Sequence, residues 1–176
     1  MTGDARSAGG VAVRAGRSVV FSVVGRPAAR PAASPTVRPA ATQAVRPRPS
    51  LAWRWPLVGP TTQYFGQSLT VYGYHYGIDI DGQTGDPVRA AAAGIVTVAG
   101  YYDSCGGLQV RIDHGNGFES QYHHFSHIDV KVGQRVSAGT LIGRVGATGC
   151  AFDSHLHFAI RLHGVFVDPL RYLPRR

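Results

Sequence analysis

Residues 108–124 read Leu108-Gln-Val-Arg-Ile-Asp-His-Gly-Asn-Gly-Phe-Glu-Ser-Gln-Tyr-His-His124, two runs rich in β-forming residues around a glycine-rich centre. The Asn116-Gly117 pair tolerates the positive φ angles that a tight hairpin turn requires. We therefore predict strands over Leu108–Asp113 and Phe118–His124, joined by a turn at His114–Gly117.

The same pattern continues through residues 51–176, which hold 18 of the 23 glycines. Short runs of Val, Ile, Tyr and Phe alternate there with glycine turns, and no window shows a convincing helical period, so helices should be few and short. Closely spaced strands with tight turns favour antiparallel pairing, and the fold class is therefore all-β. Further strands are predicted at Pro87–Ala91, Gly94–Tyr102, Thr140–Val145, His155–Leu162 and Val165–Val167.

Residues 1–50 differ in composition and carry most of the charge. They hold eight arginines and one aspartate, a net +7, whereas residues 51–176 carry +1. Residues 26–50 contain six prolines and no periodic apolar face, which predicts a disordered Arg/Pro/Ala-rich segment before a folded domain over 51–176. Residues 14–25 join basic residues to a short apolar run and are interpreted either as a weak secretion signal or as plain disordered tail.

This separation of charge from the folded part limits the function classes. The folded part is nearly neutral, so we expect no nucleic-acid partner, although the arm over residues 1–50 could contact an anionic wall or membrane surface. No apolar run approaches the roughly 18 residues needed to cross a bilayer, so an integral membrane protein is excluded.

Two clusters of metal-ligating residues stand out in the folded part. His75-Tyr-Gly-Ile-Asp79 places a His and an Asp four residues apart, and His155-Leu-His157 lies on a predicted strand. Alternate residues of a strand share a face, so both histidines should face one side while Leu156 turns into the core. Imidazole nitrogens and a carboxylate oxygen are ligands of Zn²⁺, and a catalytic zinc commonly has three protein ligands. Together the two clusters predict a metal site.

Residues 64–173 resemble the lysostaphin-type (LytM-like) zinc metallopeptidases, which cut peptide bonds in bacterial peptidoglycan. The motifs that carry the resemblance are Tyr64-Phe-Gly66, His75-Tyr-Gly-Ile-Asp79, Thr84-Gly-Asp-Pro-Val88, Asp113-His-Gly-Asn-Gly117, Tyr122-His-His124, Val132-Gly-Gln-Arg-Val136, Thr148-Gly149, His155-Leu-His-Phe158 and Val167-Asp-Pro-Leu170. The resemblance implies an antiparallel β-sandwich or barrel-sandwich hybrid of the duplicated hybrid motif type, one zinc ion per domain, and hydrolysis of peptidoglycan cross-links.

The resemblance also assigns residues. It implies that His75, Asp79 and His157 bind zinc and that His124 and His155 are the catalytic pair. We choose His124 over His123 because Tyr122 then takes the first position of the family's Tyr-x-His motif. Strand alternation would also place Tyr122 and His124 on one face, with His123 pointing away.

Two positions depart from the family pattern. The loop before His155 reads Cys150-Ala-Phe-Asp-Ser154, and Ala159 replaces a Glu that often follows the His-x-His-Phe motif. Some relatives carry cysteines at matching loops, which implies a Cys105–Cys150 disulfide; free buried thiols and metal ligation remain the alternatives. A disulfide would indicate an extracytoplasmic setting.

Other functions fit the sequence less well. A non-catalytic wall regulator would be expected to lack zinc ligands, and a lipoyl or biotinyl carrier needs a lysine in an exposed hairpin, whereas Lys131 precedes a glycine turn. A cytosolic phosphocarrier has no reason to hold His155-Leu-His157, and an anionic-polymer binding module would survive loss of zinc. We expect a monomeric zinc endopeptidase.

Overall fold

The structure, a computed structural model, describes residues 51–69 and 73–176, and the side chain of Leu69 is left out. The predictions for residues 1–50 lie outside this part. Thirteen strands are present among the described residues: β1 (Thr61–Gln63), β2 (Ser68–Leu69), β3 (Gly73–Tyr74), β4 (Ile78–Asp81), β5 (Pro87–Arg89), β6 (Gly94–Asp103), β7 (Gly107–Gly115), β8 (Phe118–His123), β9 (His127–Ile128), β10 (Arg135–Val136), β11 (Leu141–Arg144), β12 (His155–Leu162) and β13 (Val165–Val167).

Antiparallel pairing builds one large sheet and two small ones. The large sheet has the order β1-β4-β12-β8-β7-β6-β10, with β13 also paired to β12. The small sheets are β5-β11-β9 and β2-β3. One 3-10 helix, Pro169–Arg171, follows β13, and none of the described helices is long and apolar enough to cross a membrane. The all-β prediction is confirmed.

Each of the seven predicted strands is present, two of them with the predicted bounds and the others with ends that differ by at most two residues. β4 was not among the predicted strands, although it lies between β1 and β12 in the large sheet. Its signal was available, because Ile78 and Ile80 alternate with Asp79 and Asp81 and both isoleucines are fully buried. Four residues are too few for this alternation to stand out from a turn-rich sequence.

The apolar core joins the large sheet to the β5-β11-β9 sheet. Leu156, Phe158 and Ile160 of β12 are fully buried, and they belong to the same cluster as Val88 of β5 and Ile142 of β11. The core face of β12 therefore takes every second residue, as predicted. Its other face is left for His155 and His157.

Both tryptophans pack the segment before β1 against the C-terminal residues. The Trp53 ring lies edge-on to the His114 ring, with 5.0 Å between their centroids, and its centroid is 6.0 Å from that of Tyr172. Trp55 donates its indole N–H to the carbonyl of Pro174 at 2.8 Å. The guanidinium of Arg176 lies 3.6 Å from the centre of the Trp55 ring. These contacts lie outside the groove described below.

A chain of buried polar groups crosses the core beside β7 and β8. The backbone N–H of Ala91 donates to the Tyr122 hydroxyl at 2.8 Å, and that hydroxyl lies 2.9 Å from Ser120 Oγ. His114 continues the chain, with Nε2 2.7 Å from Ser120 Oγ and Nδ1 donating to the carbonyl of Ala93 at 2.8 Å. His114 thus lies at the end of β7 and is buried, whereas the sequence analysis placed it in the turn.

We expect Tyr122→Phe to destabilise the domain by about 1–3 kcal/mol, because it leaves the buried N–H of Ala91 without its acceptor. Denaturant unfolding of the two proteins measures the difference. Tyr101→Phe is the matched control, since Tyr101 is 66% exposed and its substitution should change stability by less than about 0.5 kcal/mol. Equal losses in both variants would contradict the role of this hydroxyl.

The stability of the domain should also depend on the protonation of His114. Burial lowers the pKa of His114 below its usual 6.5, so the folded state favours the neutral ring. Below pH 6.5 the unfolded chain then binds more protons than the folded chain. The free energy of unfolding therefore decreases as the pH is lowered, by at most about 1.4 kcal/mol per pH unit for one proton. Unfolding between pH 7.5 and 5 should show a shallower decline in His114→Gln than in the unmodified chain. The other histidines are common to both proteins, so parallel curves would exclude His114 as the source.

Candidate metal centre and groove

Strand pairing brings Asp79 and His157 together. In the antiparallel register of β4 and β12, Asp79 lies directly opposite His157. Ile78, Ile80, Leu156 and Phe158 all turn into the core, so the carboxylate and the imidazole are both directed to the opposite face of the sheet.

His75 reaches the same place from the loop before β4. Its Nδ1 donates to the carbonyl of Tyr64 at 3.0 Å, and its backbone N–H donates to the carbonyl of Gln67 at 2.9 Å. The 64–67 turn therefore fixes the ring. Since Nδ1 carries the hydrogen, Nε2 of the neutral ring has a lone pair, and Nε2 is the atom that approaches Asp79.

Three donor atoms converge at this point. His75 Nε2 lies 3.2 Å from Asp79 Oδ1 and 3.0 Å from His157 Nδ1, and His157 Nδ1 lies 2.9 Å from Asp79 Oδ1. Ligands 2.0–2.1 Å from a tetrahedral zinc ion are separated by about 3.3 Å, so the three atoms fit Zn²⁺ after a small expansion. Among the described residues, this is the one group of His, Cys, Asp or Glu side chains with the geometry to hold a metal ion.

The electrostatics of the three residues agree with a cation site. Burial alone would raise the pKa of Asp79, but its pairing with the imidazoles of His157 and His75 lowers the pKa, so the carboxylate is ionised at neutral pH. For His75, burial opposes protonation, and the hydrogen bond and charge of Asp79 outweigh it and raise the pKa. Apart from the two imidazoles, little compensates the negative charge of the buried Asp79 carboxylate. This favours binding of a cation at the site.

His124 and His155 form a pair next to the three donors. Their ring centroids are 4.8 Å apart, and His155 Nε2 lies 3.8 Å from Asp79 Oδ1. His124 Nδ1 donates to the carbonyl of Thr148 at 2.8 Å, and His155 Nδ1 donates to that of Asp153 at 2.9 Å. In the neutral form each ring therefore keeps a lone pair on Nε2. Burial lowers the pKa of His124 to about 4, so its ring is neutral at pH 7.

The structure corrects the reasoning that separated His124 from His123. β8 ends at His123, and His124 follows with a φ of 66°, a left-handed conformation that breaks the strand alternation. His123 lies opposite His157 in the β8–β12 register, with its ring 5.1 Å from that of His157, so it faces the site and does not point away. Tyr122 instead turns into the core. The prediction for the face of His123 was wrong because a strand alternation was extended past the end of the strand.

His123 is therefore a fifth imidazole of the site. Burial, followed by the charges of neighbouring groups including His157, lowers the pKa of His123 well below 6.5. Its Nε2 is buried with no hydrogen-bond partner among the described residues. The remaining histidines are consistent with surface positions: His127 and His163 are both exposed.

An open groove of about 470 Å³ passes over these side chains. One of its walls, here called the aromatic wall, consists of Tyr74, Tyr76 and Phe166. Neighbouring rings of the wall are 5.0 and 5.1 Å apart, and both tyrosines are about half exposed. Exposed aromatic faces beside an open groove offer contact area to an extended ligand. This wall was not predicted, although Tyr74 and Tyr76 flank His75 directly in the sequence.

Cys105 and Cys150 also line the groove, close to each other. The backbone N–H of Cys150 donates to the carbonyl of Cys105 at 2.8 Å. Both residues are thiols in the structure, so the disulfide stays a prediction. Since neither belongs to the cluster of His75, Asp79 and His157, nothing in the described residues favours metal ligation by the cysteines.

An antiparallel β-sandwich with a His, Asp and His donor set in an open groove defines a domain of the metallopeptidase type. The chain belongs to peptidase family M23, whose family model matches residues 73–169. The resemblance found in the sequence is thereby confirmed.

Curated relatives cover the same part of the chain. The murein hydrolase activator NlpD of Salmonella typhimurium is 41% identical over 128 residues, which are 73% of this chain and 33% of that protein. The lipoprotein NlpD/LppB homolog of Pseudomonas aeruginosa is 41% identical over 124 residues, 70% of this chain and 40% of that protein. The chain thus matches well under half the length of these relatives.

Solved structures share the fold. The catalytic domain of the antimicrobial peptidase lysostaphin from Staphylococcus simulans has a TM-score of 0.58 and 34% identity, covering 62% of this chain and 87% of that domain. A zinc-containing peptidase from Vibrio cholerae has a TM-score of 0.62 and 30% identity, covering 66% of this chain and 39% of that protein.

Proposed function

We propose that this domain is a zinc-dependent endopeptidase that hydrolyses peptide cross-links of bacterial peptidoglycan. The observation that carries the proposal is the convergence of three donor atoms within 2.9–3.2 Å, with two further imidazoles beside them in one groove. Membership of a peptidase family and likeness to a zinc-containing peptidase support it.

His75, Asp79 and His157 would hold the zinc ion through Nε2, Oδ1 and Nδ1. A bound zinc ion supplies Lewis-acid polarisation of a peptide carbonyl and lowers the pKa of water to about 7. The hydrogen bond from His75 to Tyr64 is the outer contact that fixes the ligating nitrogen.

His124 and His155 would transfer the protons during hydrolysis. Both rings donate Nδ1–H to backbone carbonyls, so Nε2 of each can accept a proton from water and later return it to the departing amine. The low pKa of His124 keeps its Nε2 unprotonated before reaction. The aromatic wall would support the peptide on the other side of the metal centre.

We also propose an extracytoplasmic location, because relatives at 41% identity include a lipoprotein. The domain would begin after residue 50, and the arm over residues 1–50 would contact anionic wall or membrane surfaces through its arginines. Loss of wall binding on deletion of that arm would support this contact.

A second candidate function is activation of other wall hydrolases. It is favoured by the relative of Salmonella typhimurium, whose name is murein hydrolase activator. An activator would release no fragments from purified peptidoglycan alone but would accelerate an added hydrolase, and a chelator would leave that effect unchanged. An endopeptidase would release fragments alone and lose this activity with the chelator.

Substitution of a donor residue should remove the metal. We expect one zinc per chain after dialysis of the unmodified protein, and an affinity at least about 100-fold lower for His75→Ala and Asp79→Ala, because even outer contacts contribute 10–100-fold. Metal analysis and competition with a chelating dye measure this. Asp81→Ala is the control, since Asp81 is an exposed carboxylate on the same strand. Unchanged zinc affinity in Asp79→Ala would exclude the assigned site.

Substitution of the catalytic pair should separate activity from metal binding. His124→Ala and His155→Ala should retain zinc but lower the rate of cross-link hydrolysis by about 10²–10⁴-fold, the usual contribution of a proton-transferring group. Mass analysis of fragments from peptidoglycans with glycine bridges and with direct stem-peptide links measures the rate and identifies the bond. His127→Ala, an exposed histidine, should retain full activity. Full activity in His155→Ala would refute the assignment.

A further inference from the structure

The orientation of His124 depends on two loops outside its own strand. Its backbone N–H donates to the carbonyl of Gly106 at 3.0 Å, and its Nδ1 donates to the carbonyl of Thr148 at 2.8 Å. Because His124 follows the end of β8 in a left-handed conformation, no ladder bond of β8 holds it. The Gly106 and Thr148 loops therefore determine where its Nε2 lies.

The two loops are packed tightly against each other. The N–H of Leu108 donates to Thr148 Oγ1 at 3.1 Å, and the N–H of Cys150 donates to the carbonyl of Cys105 at 2.8 Å. A Cβ at Gly149 would lie only 2.1 Å from the carbonyl oxygen of Cys105, and Gly149 has a φ of 79°. Only glycine at position 149 allows the two backbones to approach this closely, so Gly149 is required for the contact between the loops.

Each loop carries one cysteine next to the residue that holds His124. Cys105 precedes Gly106, Cys150 follows Thr148 by two residues, and both line the groove together with His124 and His155. Burial and a hydrogen bond with the Cys150 side chain raise the pKa of Cys105 to about 11, which places the two side chains in contact. The three donor residues are held elsewhere, on β4, β12 and the 64–67 turn.

We propose that Cys105 and Cys150 form a reversible disulfide that clamps the two loops and thereby positions His124. This inference rests on the proposed catalytic role of His124. The cysteines are positioning residues. In the dithiol state seen here the loops are held by hydrogen bonds alone, so they can open transiently. The disulfide adds a covalent bond that keeps both acceptors of His124 in place, and the metal donors are the same in both states.

The oxidant is a small-molecule disulfide such as oxidised glutathione. One cysteine first loses its proton to solvent. Its thiolate attacks the S–S bond of the small disulfide, forms a mixed disulfide and releases one small thiolate, which takes up a proton. The second cysteine thiolate then attacks the protein sulfur of the mixed disulfide and releases the other small thiol. The protein loses two electrons and two protons, and the small disulfide is reduced to two thiols.

The experiment compares the full zinc-loaded chain after treatment with oxidised glutathione and after reduction by a phosphine. We expect no titratable thiol in the first state and two in the second, with equal zinc content. Reduction should lower kcat by between about tenfold and 100-fold with a smaller change in KM, the size expected from a displaced catalytic group. Exchange of the His124 backbone N–H with deuterium should become faster on reduction, because its acceptor lies on the Gly106 loop.

Variants distinguish the clamp from general effects of the redox treatment. Cys105→Ser, Cys150→Ser and the double variant should all have the low kcat of the reduced chain and should not respond to either reagent. Ser104→Ala, in the same loop, should behave like the unmodified chain. Two titratable thiols after oxidation, or the same kcat and the same His124 exchange in both states, would overturn the proposal. If neither state cleaves peptidoglycan, the endopeptidase proposal fails, and the exchange of the His124 amide still decides whether the clamp exists.

Discussion

The pairing of β4 with β12 is the constraint on which the site depends. The register places Asp79 opposite His157 and, on the other face, buries Ile78 and Phe158. A slip of one residue would exchange the two faces, moving isoleucines to the groove and charged groups into the core. The apolar side chains therefore fix the positions of the proposed metal donors, although none of these side chains is itself a donor. In this sense the core and the site are encoded by the same alternation.

The residues around this strand pairing compensate the charge of Asp79 and orient the histidine rings. Asp79 is a buried carboxylate, and the imidazoles of His75 and His157 compensate its charge. A further contact orients the ring of His75. For His75 this contact is the carbonyl of Tyr64, which leaves Nε2 free to bind. His124 and His155 are oriented in the same way, because the Nδ1–H of each ring donates to a backbone carbonyl. In the neutral rings of His75, His124 and His155 the lone pair therefore lies on Nε2. Backbone geometry thus selects the tautomers on which the proposed chemistry relies.

Much of this architecture was readable in the sequence, and the exceptions have physical reasons. The hairpin around Asn116-Gly117 and the strand over His155–Leu162 follow from local chemistry and alternation, and both are present. The face of His123 was not predictable by alternation, because the left-handed turn at His124 breaks it. The aromatic wall depends on Phe166, which is distant in sequence from Tyr74 and Tyr76 and meets them only through sheet topology. The assignment of ligands came from family resemblance, since spacing alone does not rank eight histidines.

The packing of the two tryptophans gives the domain a convenient optical property. Trp53 and Trp55 are the chain's only tryptophans. Their contacts include His114, Phe118, Tyr172, Pro174 and Arg176, away from the proposed metal donors. None of these contact residues lines the groove, so the surroundings of both indoles depend on closure of the fold. Intrinsic tryptophan fluorescence can therefore follow global unfolding without any added label, even while a ligand occupies the groove.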